Sequence, residues 1–254
     1  MTASHPPTPR SRRAAAPGRR GRRRLPALLL APAIGLGTAL ALVAAPAHGA
    51  AAWESCEQWG NWETGGYIVY NNIWGEGAGT QCISAESPSD WSVHADHPGT
   101  GGIKSYPNAK RVVNTPLSEL KSLTSKYAVT VPDSGAYNTS YDIWDTDYDY
   151  EIMLWMNQTG PVGPLGQQVG TETLGGHTWD VYKGNNGHNE VFSFLRTSDS
   201  RSGEVDILPV LNYVTQQGWW SPSETIGDVQ FGYEITSSPG GLDFHTDDFS
   251  VSHS

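Results

Sequence analysis

Apolar and polar side chains alternate with a period of two along residues 150–157. Tyr150-Glu151-Ile152-Met153-Leu154-Trp155-Met156-Asn157 sends Ile152, Leu154 and Met156 to one face and Glu151, Met153, Trp155 and Asn157 to the other. Residues 229–235 repeat the pattern, with Phe231, Tyr233 and Ile235 opposite Gln230, Gly232 and Glu234. Shorter runs at 67–70, 178–182, 191–195 and 243–251 predict further strands. Turn chemistry separates them at Gly65-Gly66, Pro98-Gly99, Gly160-Pro161, Gly175-Gly176, 184–187 and 239–241. One segment departs from this rule: Ile207, Leu208, Val210, Leu211 and Val214 fall at helical spacing. Asp206 is placed to cap that helix, Pro209 is tolerable in its first turn, and Gly218 can end it. Many strands and one helix predict an all-β protein, a two-sheet sandwich or jelly roll.

The N-terminus follows different rules. Residues 10–24 hold eight arginines and no acid, and residues 25–47 are almost wholly apolar or small. Ala45-Pro46-Ala47 and Ala47-His48-Gly49 both offer small-x-small cleavage sites, so residues 1–49 read as an export signal that is cleaved. A membrane anchor is the alternative, against which Pro26, Pro32 and Pro46 argue. Arg22-Arg23-Arg24-Leu25 is a loose match to a twin-arginine signal, leaving the export route open. The expected product is a secreted, extracellular chain, residues 50–254, forming one domain.

Removing the leader changes the charge. It leaves eight basic residues against 26 acidic ones, a formal charge of −18. Such a surface repels nucleic acid and anionic membranes and is compatible with a neutral polymer. Cys56 and Cys82, the two cysteines, both lie near the start of this domain, and in an exported chain they predict one disulfide.

The candidate chemistry lies on the two alternating strands. Each glutamate could be the exposed position of an ordinary strand. Yet Glu151 shares its face with Met153 and Trp155, and Gly232 leaves the face beside Glu234 open for a closely approaching ligand. Two carboxyl groups beside aromatic side chains suit sugar hydrolysis, in which one serves as acid and the other as nucleophile or base. Other constellations are weak. Gly75-Glu76-Gly77-Ala78-Gly79 does not open a helix, so a phosphate loop is not expected, and Gly-x-Ser-x-Gly is absent. His94, His97, His177, His188 and His245 show no zinc-protease spacing and read as surface or hydrogen-bonded residues.

At these residues the chain resembles glycoside hydrolase family 12. Tyr150-Glu151-Ile152-Met153-Leu154-Trp155 is similar to its nucleophile strand, and Phe231-Gly232-Tyr233-Glu234 to its acid/base strand. Cys56-Glu57-Gln58-Trp59 and Asn71-Asn72-Ile73-Trp74-Gly75 resemble its N-terminal motifs, with Cys82 as the disulfide partner. Residues 160–166 look like the loop the family lays across its cleft, and residues 181–187 like another of its strand-turn segments.

The resemblance implies a concanavalin-like jelly roll with a substrate cleft across its concave face. It implies a retaining endo-β-1,4-glucanase, with Glu151 as nucleophile and Glu234 as general acid/base. Retention expects the two carboxyls about 5–5.5 Å apart. Asp142, in Ser140-Tyr141-Asp142-Ile143-Trp144, matches the third, supporting carboxylate. Trp59, Trp74 and Trp155 would be sugar-stacking platforms, Asn72 a hydrogen-bonding partner and Met153 a neighbour of the nucleophile. The connection from Asp142 to Glu151 is shorter than the family's, which keeps Asp145, Asp147 and Asp149 open as replacements, although they read better as solvated turn residues. No metal or cofactor is expected, since two carboxyls suffice. The expected partner is a β-glucan polysaccharide, met by a monomer. A xyloglucan-specific enzyme of the same family is the first alternative, and a non-catalytic glucan-binding jelly roll the second.

Overall fold

The computed structural model describes residues 51–254, so the export signal read from residues 1–49 lies outside the described residues. The described chain forms two sheets facing each other across an apolar core. The larger has nine strands, in the order β10 (Gln167–Leu174), β11 (His177–Asn185), β12 (Glu190–Arg196), β9 (Tyr150–Thr159), β8 (Ala136–Asp145), β14 (Thr225–Ser237), β6 (Asn108–Pro116), β3 (Tyr67–Tyr70) and β2 (Asn61–Thr64). The smaller has six: β1 (Trp53–Ser55), β4 (Thr80–Ser87), β5 (Asp90–Asp96), β15 (Leu242–His253), β7 (Leu123–Thr130) and β13 (Ser202–Asp206). Every named strand pair is antiparallel except β9 with β12. This is the predicted jelly roll.

The core is built largely of aromatic side chains. Phe231 packs on Tyr127, Tyr141 and Phe249, and Tyr233 lies between Trp91 and Phe244. Rings of this size bury 150–250 Å² each, which suits the wide gap between two sheets. Ile152, Leu154 and Met156 enter this core from β9, as the alternation requires. So do Val229, Phe231, Tyr233 and Ile235 from β14.

The helix α1 spans Leu208–Gln216 and buries Val210, Leu211 and Val214. Gly218 follows it with φ +69°, the left-handed turn for which glycine carries no side-chain penalty. Asp206 does not cap it, contrary to the sequence expectation. It is the last residue of β13, paired with Thr124, and Ile207 takes the cap position with no side-chain bond. Pro209 in the first turn removes an N–H that the helix could not have used, which lessens what a cap would add.

Cys56 and Cys82 form a disulfide with Cα atoms 4.1 Å apart and a sequence separation of 26. In the chain-entropy picture a closed loop of this length is worth about 3.5 kcal/mol. It ties the N-terminal segment carrying Trp59 to β4.

Candidate active site

The face of the nine-stranded sheet turned away from the core carries a cleft of about 750 Å³. Its floor comes from the sheet's three central strands. Across the β8–β9 pairing, Trp144 stands opposite Glu151, Asp142 opposite Met153 and Ser140 opposite Trp155. On the other side of β8, Asp142 stands opposite Gln230 and Asn138 opposite Glu234. The two glutamates are therefore offset by six residues along β8, about 20 Å on a flat strand. Both nevertheless line the one cleft, and Glu151 feels the charge of Glu234.

Each glutamate is held by an asparagine. Asn189 Nδ2 donates to Glu151 Oε2 at 3.2 Å, and Asn138 Nδ2 donates to Glu234 Oε2 at 2.6 Å. Asn189 is itself clamped by Asn186, whose side-chain oxygen accepts its backbone N–H and whose amide donates to its Oδ1. Asp142 is only 6% exposed and lies between the pair, with Oδ1 lacking a protein partner. Tyr106 closes the floor, its hydroxyl donating to the Ser140 carbonyl at 3.1 Å.

Burial dominates the electrostatics. It pushes the Glu234 carboxyl up to about 7, against the pull of the Asn138 bond. Burial likewise raises Glu151 to about 7, the charge of Glu234 adds to the rise, and the Asn189 bond opposes it. Asp142 is raised well above the usual carboxylate range, first by burial and then by the charges of Glu151 and Glu234. Three acids in one water-poor cleft cannot all ionise near neutrality, so the site holds carboxylate and carboxylic acid side by side. That combination can attack a carbon and protonate a leaving oxygen in the same event. Among the described residues, no group of three or more His, Cys, Asp or Glu side chains could hold a metal ion.

The other predicted residues fall in different places. Asn72 lines the cleft in a left-handed conformation (φ 43°), and its amide donates to the Tyr106 carbonyl at 3.1 Å. Trp74 lines the rim and is 49% exposed, an open indole face. Met153 and Trp155 line the cleft from the floor, where they cluster with Val191. Trp155 is only 3% exposed, so it forms part of the floor rather than an open platform. Trp59 is half exposed but does not line the cleft; it leans on Tyr70, which does. Gly163, Pro164 and Leu165 of the 160–166 loop border the opening.

Three further sequence expectations change here. Asn157 leaves the cleft face: Thr139 pairs with Asn157 and Ser140 with Trp155, so Met156 is an extra residue that resets the alternation. Asn157 instead accepts from Thr139 Oγ1 and donates to the Ser200 carbonyl. Gly232 makes room for protein rather than ligand, since a Cβ there would overlap the Pro107 carbonyl and Asn108 of β6. Asp145 is no solvated turn residue: it is 2% exposed, and its carboxylate accepts the N–H groups of Asp147 and Tyr150. Asp147 and Asp149 are exposed.

Residues 65–253 match the family model described as Glycosyl hydrolase family 12. The chain belongs to glycosyl hydrolase family 12. A xyloglucan-specific endo-β-1,4-glucanase A of Emericella nidulans is 36% identical over 217 residues, covering 78% of this chain and 90% of that protein. Among solved structures, the xyloglucanase domain of NopAA, a type three effector from Sinorhizobium fredii in complex with cellobiose, superposes with a TM-score of 0.78. It is 37% identical and covers 80% of this chain and 99% of that one. The catalytic domain of Humicola grisea Cel12A, in complex with a soaked thio cellotetraose, gives a TM-score of 0.74 at 27% identity, over 80% and 99% of the two chains.

The cleft of this family 12 hydrolase also holds residues outside the family-like motifs' expected site set. Alternation outward from Asp142 places Trp144 on the cleft face, a signal available in the sequence. Asn138 and Asn189 gave no such signal, because each finds its glutamate only across strand pairings.

The raised acids carry a stability consequence. A carboxyl near 7 in the fold and about 4.3 when unfolded binds more proton folded than unfolded between those values. Its contribution is present below about pH 4.3 and is lost as pH rises through 7. Glu151→Gln removes that charge. The variant is therefore expected to match the parent's stability near pH 4 and exceed it at pH 8, by up to about 3 kcal/mol. Denaturant melts at both pH values check this; equal stability at pH 8 would contradict a desolvated Glu151.

Proposed function

We propose that this family 12 hydrolase is a retaining endo-β-1,4-glucanase, with Glu151 as nucleophile and Glu234 as general acid/base. The observation that carries the reading is the pair of desolvated carboxyls, raised to about 7, that line one aromatic-lined cleft from the strands on either side of β8. In the first step a Glu151 oxygen attacks the anomeric carbon while the bond to the leaving chain breaks and its oxygen takes the Glu234 proton. In the second, water attacks the glycosyl ester, Glu234 accepts the water proton and Glu151 departs as carboxylate. Two displacements restore the β configuration. Asp142 keeps its proton beside Glu151 and supports the carboxylate without competing for it. Trp74 and Tyr70 receive sugar rings along the wall.

Residues 1–49 direct export, and the remaining single catalytic domain works as a monomer outside the cell on β-glucan polymer. Among the described residues, no helix is long and apolar enough to cross a membrane.

Xyloglucan is the second substrate reading. The relatives from E. nidulans and S. fredii bear that specificity in their names. Here the β8–β9 connection beside Glu151 is only the four residues 146–149. Initial rates on carboxymethyl-cellulose, mixed-linkage β-glucan and xyloglucan separate the two. Internal cleavage of all three is expected, with viscosity falling before reducing ends accumulate. A preference for xyloglucan beyond about 100-fold, more than a methylene-sized fit in an apolar pocket gives, would assign the enzyme to that polymer.

A further inference from the structure

The four-residue connection between β8 and β9 holds a strained residue. Tyr148, third in that turn, has φ +61°, a left-handed backbone that aromatic residues rarely adopt. Glycine or asparagine would satisfy the same turn without strain. Tyrosine there is also 53% exposed, so it gains little from burial. Its ring lines the cleft and lies 5.5 Å from that of Trp144, tilted by 51°. Trp144 in turn stands opposite Glu151 in the β8–β9 register.

The strain is contained by a purpose-built turn. The buried Asp145 carboxylate accepts the Asp147 N–H at 3.1 Å and the Tyr150 N–H at 2.9 Å, gripping the connection on both sides of Tyr148. The Tyr148 N–H reaches the Asp145 carbonyl at 3.4 Å, and the Thr146 N–H donates to the Thr225 carbonyl of β14 at 3.0 Å. A strained, exposed aromatic held this firmly at the mouth of a cleft is the pattern expected of a binding residue.

We infer that Trp144 and Tyr148 form a sugar-stacking subsite, built by the short hairpin on the Glu151 side of the cleft, that takes a glucosyl unit of a β-1,4-linked chain beyond the bond being cut. The two tilted rings offer apolar faces to the C–H face of a pyranose and leave its hydroxyl edge in water. Asp145 is the positioning residue that fixes Tyr148 over the groove. The inference rests on the glucanase reading above.

The test measures binding by calorimetry in the full-length Glu151→Gln protein, using β-1,4-glucan oligosaccharides of two to six units. Tyr148→Gly is the main variant, because glycine accepts φ +61° and removes the ring without disturbing the turn. The expected result is a loss of about tenfold in affinity for the hexamer, on the scale of one aromatic contact, with little change for the dimer. In other words, the affinity gained on lengthening the chain should shrink in the variant. Tyr148→Phe should bind the hexamer as the parent does, since the ring and not the hydroxyl is needed. Unchanged hexamer binding by Tyr148→Gly would overturn the inference. So would an equal loss at every chain length, which would mean that the ring merely orders Trp144 and Glu151. If Glu151→Gln binds none of the oligosaccharides, the glucanase reading falls too, which separates the two failures.

Discussion

Glu151→Gln is expected to lower hydrolysis of β-glucan by roughly 10⁴-fold or more while leaving fold and glucan binding intact. The amide keeps the shape of the carboxyl and can still accept from Asn189, so the cleft should not rearrange. What it loses is the negative oxygen that forms the ester. Because removing that charge relieves a desolvation cost, the variant should also be at least as stable as the parent at neutral pH, making misfolding a poor explanation for lost activity. Initial rates on a soluble β-glucan, together with affinity electrophoresis on the same polymer, would measure both halves. Activity within a few-fold of the parent would refute the nucleophile assignment.

Glu234→Ala should act selectively. Natural glucan needs a proton on its leaving oxygen, so its cleavage should slow by about 10²–10⁴-fold. An aryl β-cellobioside with an acidic phenol leaves without that proton, and its first step should be slowed far less. The glycosyl ester then accumulates, because no base remains to activate water. Azide needs no base. Adding it should raise turnover of the activated substrate and yield the β-glycosyl azide. Absence of both azide rescue and leaving-group dependence would count against acid/base catalysis by Glu234. Asn138, which donates to Glu234 at 2.6 Å, is lost as a partner in this variant, so Glu234→Gln is the control that keeps that bond.

The strands most legible in the sequence are those with one apolar and one mixed face. β9 and the second half of β14 alternate because one side meets the core and the other meets the cleft. β8 shows no such pattern. It is buried almost throughout, yet carries Asn138, Thr139, Ser140 and Asp142, which resemble a polar loop when pairing is unknown. Asn138 Nδ2 and Thr139 Oγ1 find hydrogen-bond partners across the sheet, whereas Asn138 Oδ1, Ser140 Oγ and Asp142 Oδ1 have no protein partner. Asn157 departs from simple alternation for a related reason: one extra residue at Met156 inverts the faces, and register is set by pairing rather than by local sequence. The glutamates were legible as oddly placed acids, but their asparagine partners were not. Asp145 looked like one of several acids in a turn, and only its buried contacts distinguish it from Asp147 and Asp149.

The nine-stranded sheet places β9, β8 and β14 fourth, fifth and sixth in its order. Each of these strands is hydrogen-bonded along both sides, whereas β10 and β2 end the sheet with one side open. Local opening in a sheet begins where bonds are fewest and solvent is nearest. Transient fraying will therefore visit the edges long before it reaches Glu151, Asp142 or Glu234. The three acids stand on the part of the sheet expected to open last, so fraying at β10 or β2 would leave their spacing undisturbed.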